Sequence, residues 1–255
     1  IRWERSTEYP MLPIVLFRKM GFTMGLVAIS LAFFVMFSFM FTQMLHFQLV
    51  RGHTALEAAI RFLPLPLGLM PAAANSDKFV AKFGSNNVVA TGLTLITAGM
   101  LLFTTVEIDT DYVRIALTFF LLGLGMGLTM APSTTLVMES IPEDKAGVGS
   151  ATNDASREIG GALGIAIGGS VLNEYYQRNL IVPEGLDSSG LAESFPTAMR
   201  IGSELMADGN MLGAELIANA RLAFMDGMVA SAMVSAGIAL MTAILVKLYM
   251  PGKTE

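Results

Sequence analysis

The stretch GFTMGLVAISLAFFVMFSFMFTQ, Gly21 to Gln43, decides the fold. The hydrocarbon core of a bilayer is about 30 Å thick and takes roughly 20 apolar residues wound as a helix, so this run is long enough to cross. Five more runs read the same way: Thr54 to Ala74, Val88 to Thr105, Ile115 to Leu136, Gly149 to Val171 and Leu222 to Leu245. In lipid every backbone polar group needs a partner within the protein, which leaves helices or closed barrels, and barrel strands are shorter and alternate. The expected fold is an all-α integral membrane protein, a bundle of six transmembrane helices.

Threading the loops to alternate sides collects all six lysines, Lys19, Lys78, Lys82, Lys145, Lys247 and Lys253, on one side. The positive-inside tendency makes that side the cytoplasm. Both ends of the chain are then cytoplasmic, and the expected location is the plasma (inner) membrane. The acids concentrate elsewhere: Glu174, Glu184, Asp187, Glu193, Glu204, Asp208 and Glu215 lie in the long stretch from Asn173 to Arg221, which this threading leaves outside.

Composition agrees with lipid as the solvent. The chain is 53% hydrophobic and 15% charged, against about 25% charged in a soluble domain, and its mean hydropathy is +0.60. The absence of cysteine excludes disulfides and thiolate metal sites. Two histidines, His46 and His53, give little basis for a metal enzyme; both are expected in solvated or interfacial positions. No basic stripe points to nucleic acid. An intramembrane enzyme would need chemistry such as His-Glu-x-x-His or Gly-x-Ser-x-Gly, and neither occurs. The chain starts at Ile1 within the charged stretch Arg2-Trp3-Glu4-Arg5, with no signal-peptide pattern. It is expected to continue a longer protein.

Residues 1–20 read as a cytoplasmic lead-in broken by Pro10 and Pro13. Residues 21–250 read as the six-helix bundle, with an external segment at about 173–221, and 251–255 as a cytoplasmic tail. Helical pieces are expected within the external segment at Thr197–Met206 and Leu212–Ala220, folded over the outer mouth.

Small residues recur every four positions in two spans: Gly123, Gly127 and Ala131 in the fourth, with Gly125 between, and Gly160, Gly164 and Gly168 in the fifth. Such faces let two helix backbones approach closely. They serve tight packing, or they let helices slide during alternating access. Pro132 frees a carbonyl and can kink the fourth span.

Three ionisable residues enter the fifth span. Asp154, Arg157 and Glu158 share one helical face by their spacing of three and four. A rise of 1.5 Å per residue sets Glu158 roughly 12 Å beyond Ser150. Charges at such depth need a partner or water. The group is either an internal ion pair anchoring the helix or a proton-exchanging carboxylate whose pKa Arg157 adjusts. Glu57 and Arg61, and Arg221 and Asp226, are expected as structural pairs. The first span carries two stripes, Phe33-Phe37-Phe41 and Met36-Met40-Met44. These are packing or lipid-facing surface, or a substrate wall, since aromatic faces attract lipophilic cations and methionine re-packs around varied shapes.

The run Ile141-Pro142-Glu143-Asp144-Lys145-Ala146-Gly147, continuing through Ser150, Asn153 and Arg157 to Gly160-Gly161-Ala162-Leu163-Gly164, resembles a stretch of one transporter family. It is similar to the approach to the penultimate helix in the 14-helix drug:proton antiporters of the QacA/EmrB type, within the major facilitator superfamily. Gln48, Gly52, Thr54, Ala58 and Leu63-Pro64 resemble that family's outer loop and following helix. Pro10 through Leu16-Phe17-Arg18 to Phe22 is similar to the lead into its ninth helix. The chain departs from the pattern at Glu158, where the family often has Gln, and at Ala81 and Asn86-Asn87 in the loop after the second span.

The resemblance implies that the six spans are helices nine to fourteen, the C-terminal half of the fold. It implies proton-coupled export of drugs or other lipophilic or cationic molecules by alternating access, powered by the proton gradient with no cofactor. The partners are then a small-molecule substrate, the bilayer and an N-terminal half. That half would hold the family's best-known coupling carboxylate. Two alternatives stay open: export of one metabolite, such as a siderophore, peptide or amino acid, and a non-transporting six-helix membrane subunit.

Overall fold

The computed structural model describes residues 14–186, 190–191 and 193–252, and the regular structure among them is helical throughout. Pro10, Pro13, Asp187 and Lys253, with the ends of the expected lead-in and tail, lie outside the described residues. A 3-10 turn at Ile14–Arg18 leads to α1 (Met20–Leu45), which closes in a π-helical turn at His46–Val50. Then come α2 (Ala55–Ile60), α3 (Pro64–Phe83), α4 (Ser85–Phe103), α5 (Tyr112–Glu139), α6 (Ala146–Asn179), α7 (Phe195–Ala207) and α8 (Leu212–Tyr249).

Local chemistry sets several boundaries. The Thr54 hydroxyl accepts from the Glu57 amide at 3.3 Å, and the Glu57 carboxylate accepts from the Thr54 amide at 2.9 Å. This reciprocal cap starts α2. Pro64 opens α3, where its missing N–H costs nothing. The second crossing runs on to Phe83, so Lys78 and Lys82 ride on its last turns instead of lying in a loop. Gly84 alone turns the chain from α3 into α4, at φ +84°, and a Cβ there would sit 2.7 Å from the Gly252 carbonyl oxygen. Gly84→Ala is therefore expected to cost about 2 kcal/mol, visible as a lowered thermal midpoint in detergent.

Among the described residues, five helical stretches are long and apolar enough to cross a bilayer: Met20–Val50, Ala55–Phe83, Ser85–Phe103, Tyr112–Glu139 and Leu212–Tyr249. Helix α6 holds the remaining expected span. Its 34 residues are ample in length, and its glycines and the Asp154–Glu158 charges lower its hydropathy. It packs along α1 and α8 as a full member of the bundle.

Helix α1 is central, touching α5, α6 and α8, while α5 lies between α3 and α4, and α8 between α4 and α6. Aromatic rings pack together toward the end of the bundle where α4 finishes. Phe39 meets Phe103 at 5.0 Å and Phe119 at 5.2 Å, and Phe62 meets Phe119 at 4.8 Å. Polar contacts tie each rim. At one, Lys19 Nζ donates to the Ser140 carbonyl at 2.8 Å, the Ser85 amide donates to the Gly252 carbonyl at 2.6 Å, and Lys247 donates to Asn87. The lysines of α3 and α8 thus share a rim with Lys19. At the other, Arg51 donates to the Thr110 carbonyl at 2.7 Å and Tyr112 to the Arg61 carbonyl at 3.0 Å.

Three polar expectations need correction. His46 is fully buried, not solvated or interfacial: its Nδ1 lies 3.0 Å from Gln43 Oε1 and Phe47 stacks on its ring, so the imidazole is accommodated inside the bundle. Glu57 and Arg61 form no ion pair. The Glu57 carboxylate serves the α2 cap, and Arg61 donates to the Glu57 carbonyl and lies over Tyr112. Arg221 does not pair with Asp226 either; Asp226 accepts from Asn179 Nδ2 at 3.0 Å.

In the segment between α6 and α8, α7 covers the expected helix at 197–206, while residues 212–220 form the first turns of α8 itself. Phe195 anchors α7, with its ring 4.4 Å from Phe224 and 5.9 Å from Tyr176.

Candidate functional site

Helix α6 buries a narrow stripe and exposes the rest. Its buried residues are Gly149, Asn153, Gly160, Gly161, Gly164, Gly168, Leu172 and Tyr176. A Cβ at Gly160 would run into the Ser30 carbonyl of α1, one at Gly164 into the Phe34 carbonyl, and one at Gly168 into the Ser38 hydroxyl. The two helices therefore lie backbone against backbone. The fourth-span glycines divide their work. Gly123 and Gly127 back onto the Leu65 and Leu69 carbonyls of α3, and Gly125 faces Gly92 of α4. Pro132 is buried within α5, and Ala131 beside it is half-buried.

Along this seam α1 presents its aromatic stripe. Phe33 and Phe37 stack at 6.0 Å between centroids. The Phe37 ring covers Gly161, and the Phe41 ring lies beside Gly169. The Arg157 guanidinium stands 5.6 Å from the Phe33 centroid, a cation-π distance. Its Nη1 is 3.7 Å from Asp154 Oδ1, and its Nη2 is 3.4 Å from Thr134 Oγ1 on α5. Thr134 joins the cluster only through the fold, since nothing in its local sequence marks it out.

The structure thus brings together Phe33, Asp154 and Arg157 from the expected set. Glu158 is exposed and makes no ion pair among the described residues. Met36 and Met44 pack against the main core, while Met40 is half-buried. The Arg157 guanidinium thus reaches Asp154, the Thr134 hydroxyl and the Phe33 ring, while the exposed Glu158 carboxylate has no ion-pair partner among the described residues. Asn153 is buried with Oδ1 unpartnered.

Toward the other end the seam opens into a cavity of about 400 Å³, lined by Phe41, Leu45, Ile165, Asn173 and Phe195. Phe195 reaches it from α7, a contribution the sequence does not mark. Of the five apolar stretches, Ala55–Phe83 has the barest flank, with 17% of its apolar part buried against 50% to 56% in the other four. Among the described residues no three His, Asp or Glu side chains converge as a metal site would need.

Comparison with known proteins adds the following. The profile of the Major Facilitator Superfamily matches residues 3–165, more than half of the 255-residue chain. The multidrug efflux pump LfrA of Mycolicibacterium smegmatis is 29% identical over 249 residues, which is 96% of this chain and 49% of that protein. The tetracenomycin C resistance and export protein of Streptomyces glaucescens is 28% identical over 172 residues, 68% of this chain and 32% of its own length. The multidrug transporter protein MdtP of Bacillus subtilis is 28% identical over 171 residues, 67% of this chain and 31% of its own. The chain spans about half the length of these relatives or less.

Proposed function

The chain belongs to the Major Facilitator Superfamily, a family of transporters and not of enzymes, and from that premise we propose that it is the C-terminal six-helix half of a 14-helix drug:proton antiporter of the QacA/EmrB type. In this reading the bundle lies in the plasma membrane with its lysine-bearing rim in the cytoplasm. An N-terminal half covers the open flanks of α3 and α6. Lipophilic or cationic substrates pass along the Phe33-Phe37-Phe41 stripe, and protons return through Glu158.

The observation that carries the reading is the seam between α1 and α6. It offers an aromatic track, a carboxylate with no ion-pair partner and a cavity at its far end. Relatives named for multidrug efflux and multidrug transport support the substrate class. Alternating access about a central site is the family's working principle.

Expression of the whole gene in an efflux-deficient bacterium tests this. Cells loaded with ethidium are expected to lose the dye several-fold faster than controls, and a protonophore is expected to abolish the difference. Dye retention equal to that of controls across several cationic chemotypes would overturn multidrug export. A narrower second reading, export of one compound, is favoured by the relative named for tetracenomycin C alone. Resistance to a single compound with no dye loss would select it.

A further inference from the structure

Helix α4 starts at the lysine rim between two apolar grooves that the transport reading does not use. One, of about 320 Å³, lies toward α3 and α5 and is lined by Phe79, Phe83, Val88 and Leu128. The other, of about 480 Å³, lies toward α8 and is lined by Leu95, Leu240, Ile244 and Leu248. Asn87 and Thr91 line both, so the grooves meet across the first turns of α4.

A lysine accompanies each groove. Lys247 donates to the Asn87 side chain, and Lys82 Nζ lies 5.1 Å from the Phe83 ring centroid. Neither lysine forms an ion pair among the described residues. The carboxylate nearest in sequence to Lys82 is Asp77, which is exposed on α3. Lys247 lines the second groove and Lys82 sits on the ring of Phe83, which lines the first, so each groove has beside it a lysine with no ion pair among the described residues. From Asn87 to Leu95 the helix descends roughly 12 Å, close to the depth of one leaflet of a core about 30 Å thick.

We propose that this end of α4 binds one anionic diacyl phospholipid. Its phosphate sits between Lys82 and Lys247, and its two acyl chains straddle the helix in the two grooves. Charge complementarity selects an anionic headgroup. The paired slots joined at one polar point select a two-chain lipid over a detergent or a single fatty acid. Neither lysine belongs to the Arg157–Glu158 cluster, so the site is independent of the export route.

Native mass spectrometry of the delipidated protein in detergent tests the proposal, with phosphatidylglycerol and phosphatidylcholine as probes. One phosphatidylglycerol is expected to bind about tenfold more tightly than phosphatidylcholine. K82Q/K247Q is expected to bring that ratio to about one while K82R/K247R retains it. Thr91→Trp, which intrudes on both grooves, is expected to weaken both lipids. Each variant is compared at an unchanged thermal midpoint, and these exposed positions are chosen so that folding survives. Equal binding of the two lipids by the unaltered protein would overturn the proposal. So would a preference that persists in K82Q/K247Q, or displacement of phosphatidylglycerol by glycerol 3-phosphate at equal concentration.

Discussion

Gly164→Val is expected to destabilise the bundle by about 3 kcal/mol, the upper end of the usual cost of overpacking. At Gly164 the obstacle to a side chain is the Phe34 carbonyl of α1. A side-chain neighbour could rotate away, but a backbone carbonyl moves only with its helix, so α1 and α6 must part. Gly160→Val is expected to act alike through the Ser30 carbonyl. Gly237 supplies the control: a Cβ there meets nothing within 4 Å, and Gly237→Ala is expected to gain up to about 1 kcal/mol from helix propensity alone. Thermal unfolding in detergent reads both. If Gly164→Ala raised the midpoint as Gly237→Ala should, the backbone contact between α1 and α6 would be wrong.

The second large effect concerns Glu158. Glu158→Gln keeps the shape of the side chain and removes its ability to carry a proton. In the ethidium assay it is expected to lower proton-driven efflux at least tenfold and to flatten the dependence of the remaining efflux on external pH. Asp154→Asn separates the two acids. Asp154 is already paired with Arg157 at 3.7 Å, so its loss is expected to loosen the helix end while pH dependence stays. Normal coupling in Glu158→Gln would move the proton route to another residue.

Much of this architecture is legible in the sequence because lipid imposes so strict a rule. Runs such as Gly21–Gln43 have one acceptable conformation at membrane depth. The lysine asymmetry anticipates the rim where Lys19 meets Ser140 and Lys247 meets Asn87. Spacing of four in Gly160-Gly164-Gly168 announces a close helix contact, and the contact is there. What spacing leaves out is the partner. Gly123 and Gly125 lie two residues apart on α5 and pack against different helices, which only the fold can assign.

Polar pairing is the least legible layer. Glu57 and Arg61 have favourable helical spacing, yet Thr54 takes the carboxylate for a cap. His46 looks like a loop residue until the fold buries it, with Nδ1 against Gln43 one turn back and Nε2 left without a hydrogen-bond partner. A side chain with several partners in reach chooses by local geometry that a linear pattern does not contain. Thr134 and Phe195 join the candidate site for the same reason: the fold delivers them from other helices.

The backbone-to-backbone seam of α1 and α6 has a mechanical corollary. Interlocked side chains act as gear teeth, so each shift must disengage one set before the next can mesh. Where Gly160 and Gly164 lay bare α-carbons against the Ser30 and Phe34 carbonyls, the joint has no teeth. Such a joint clings across its width and glides along its length, and motion between these two helices would be a low-friction shear in small increments.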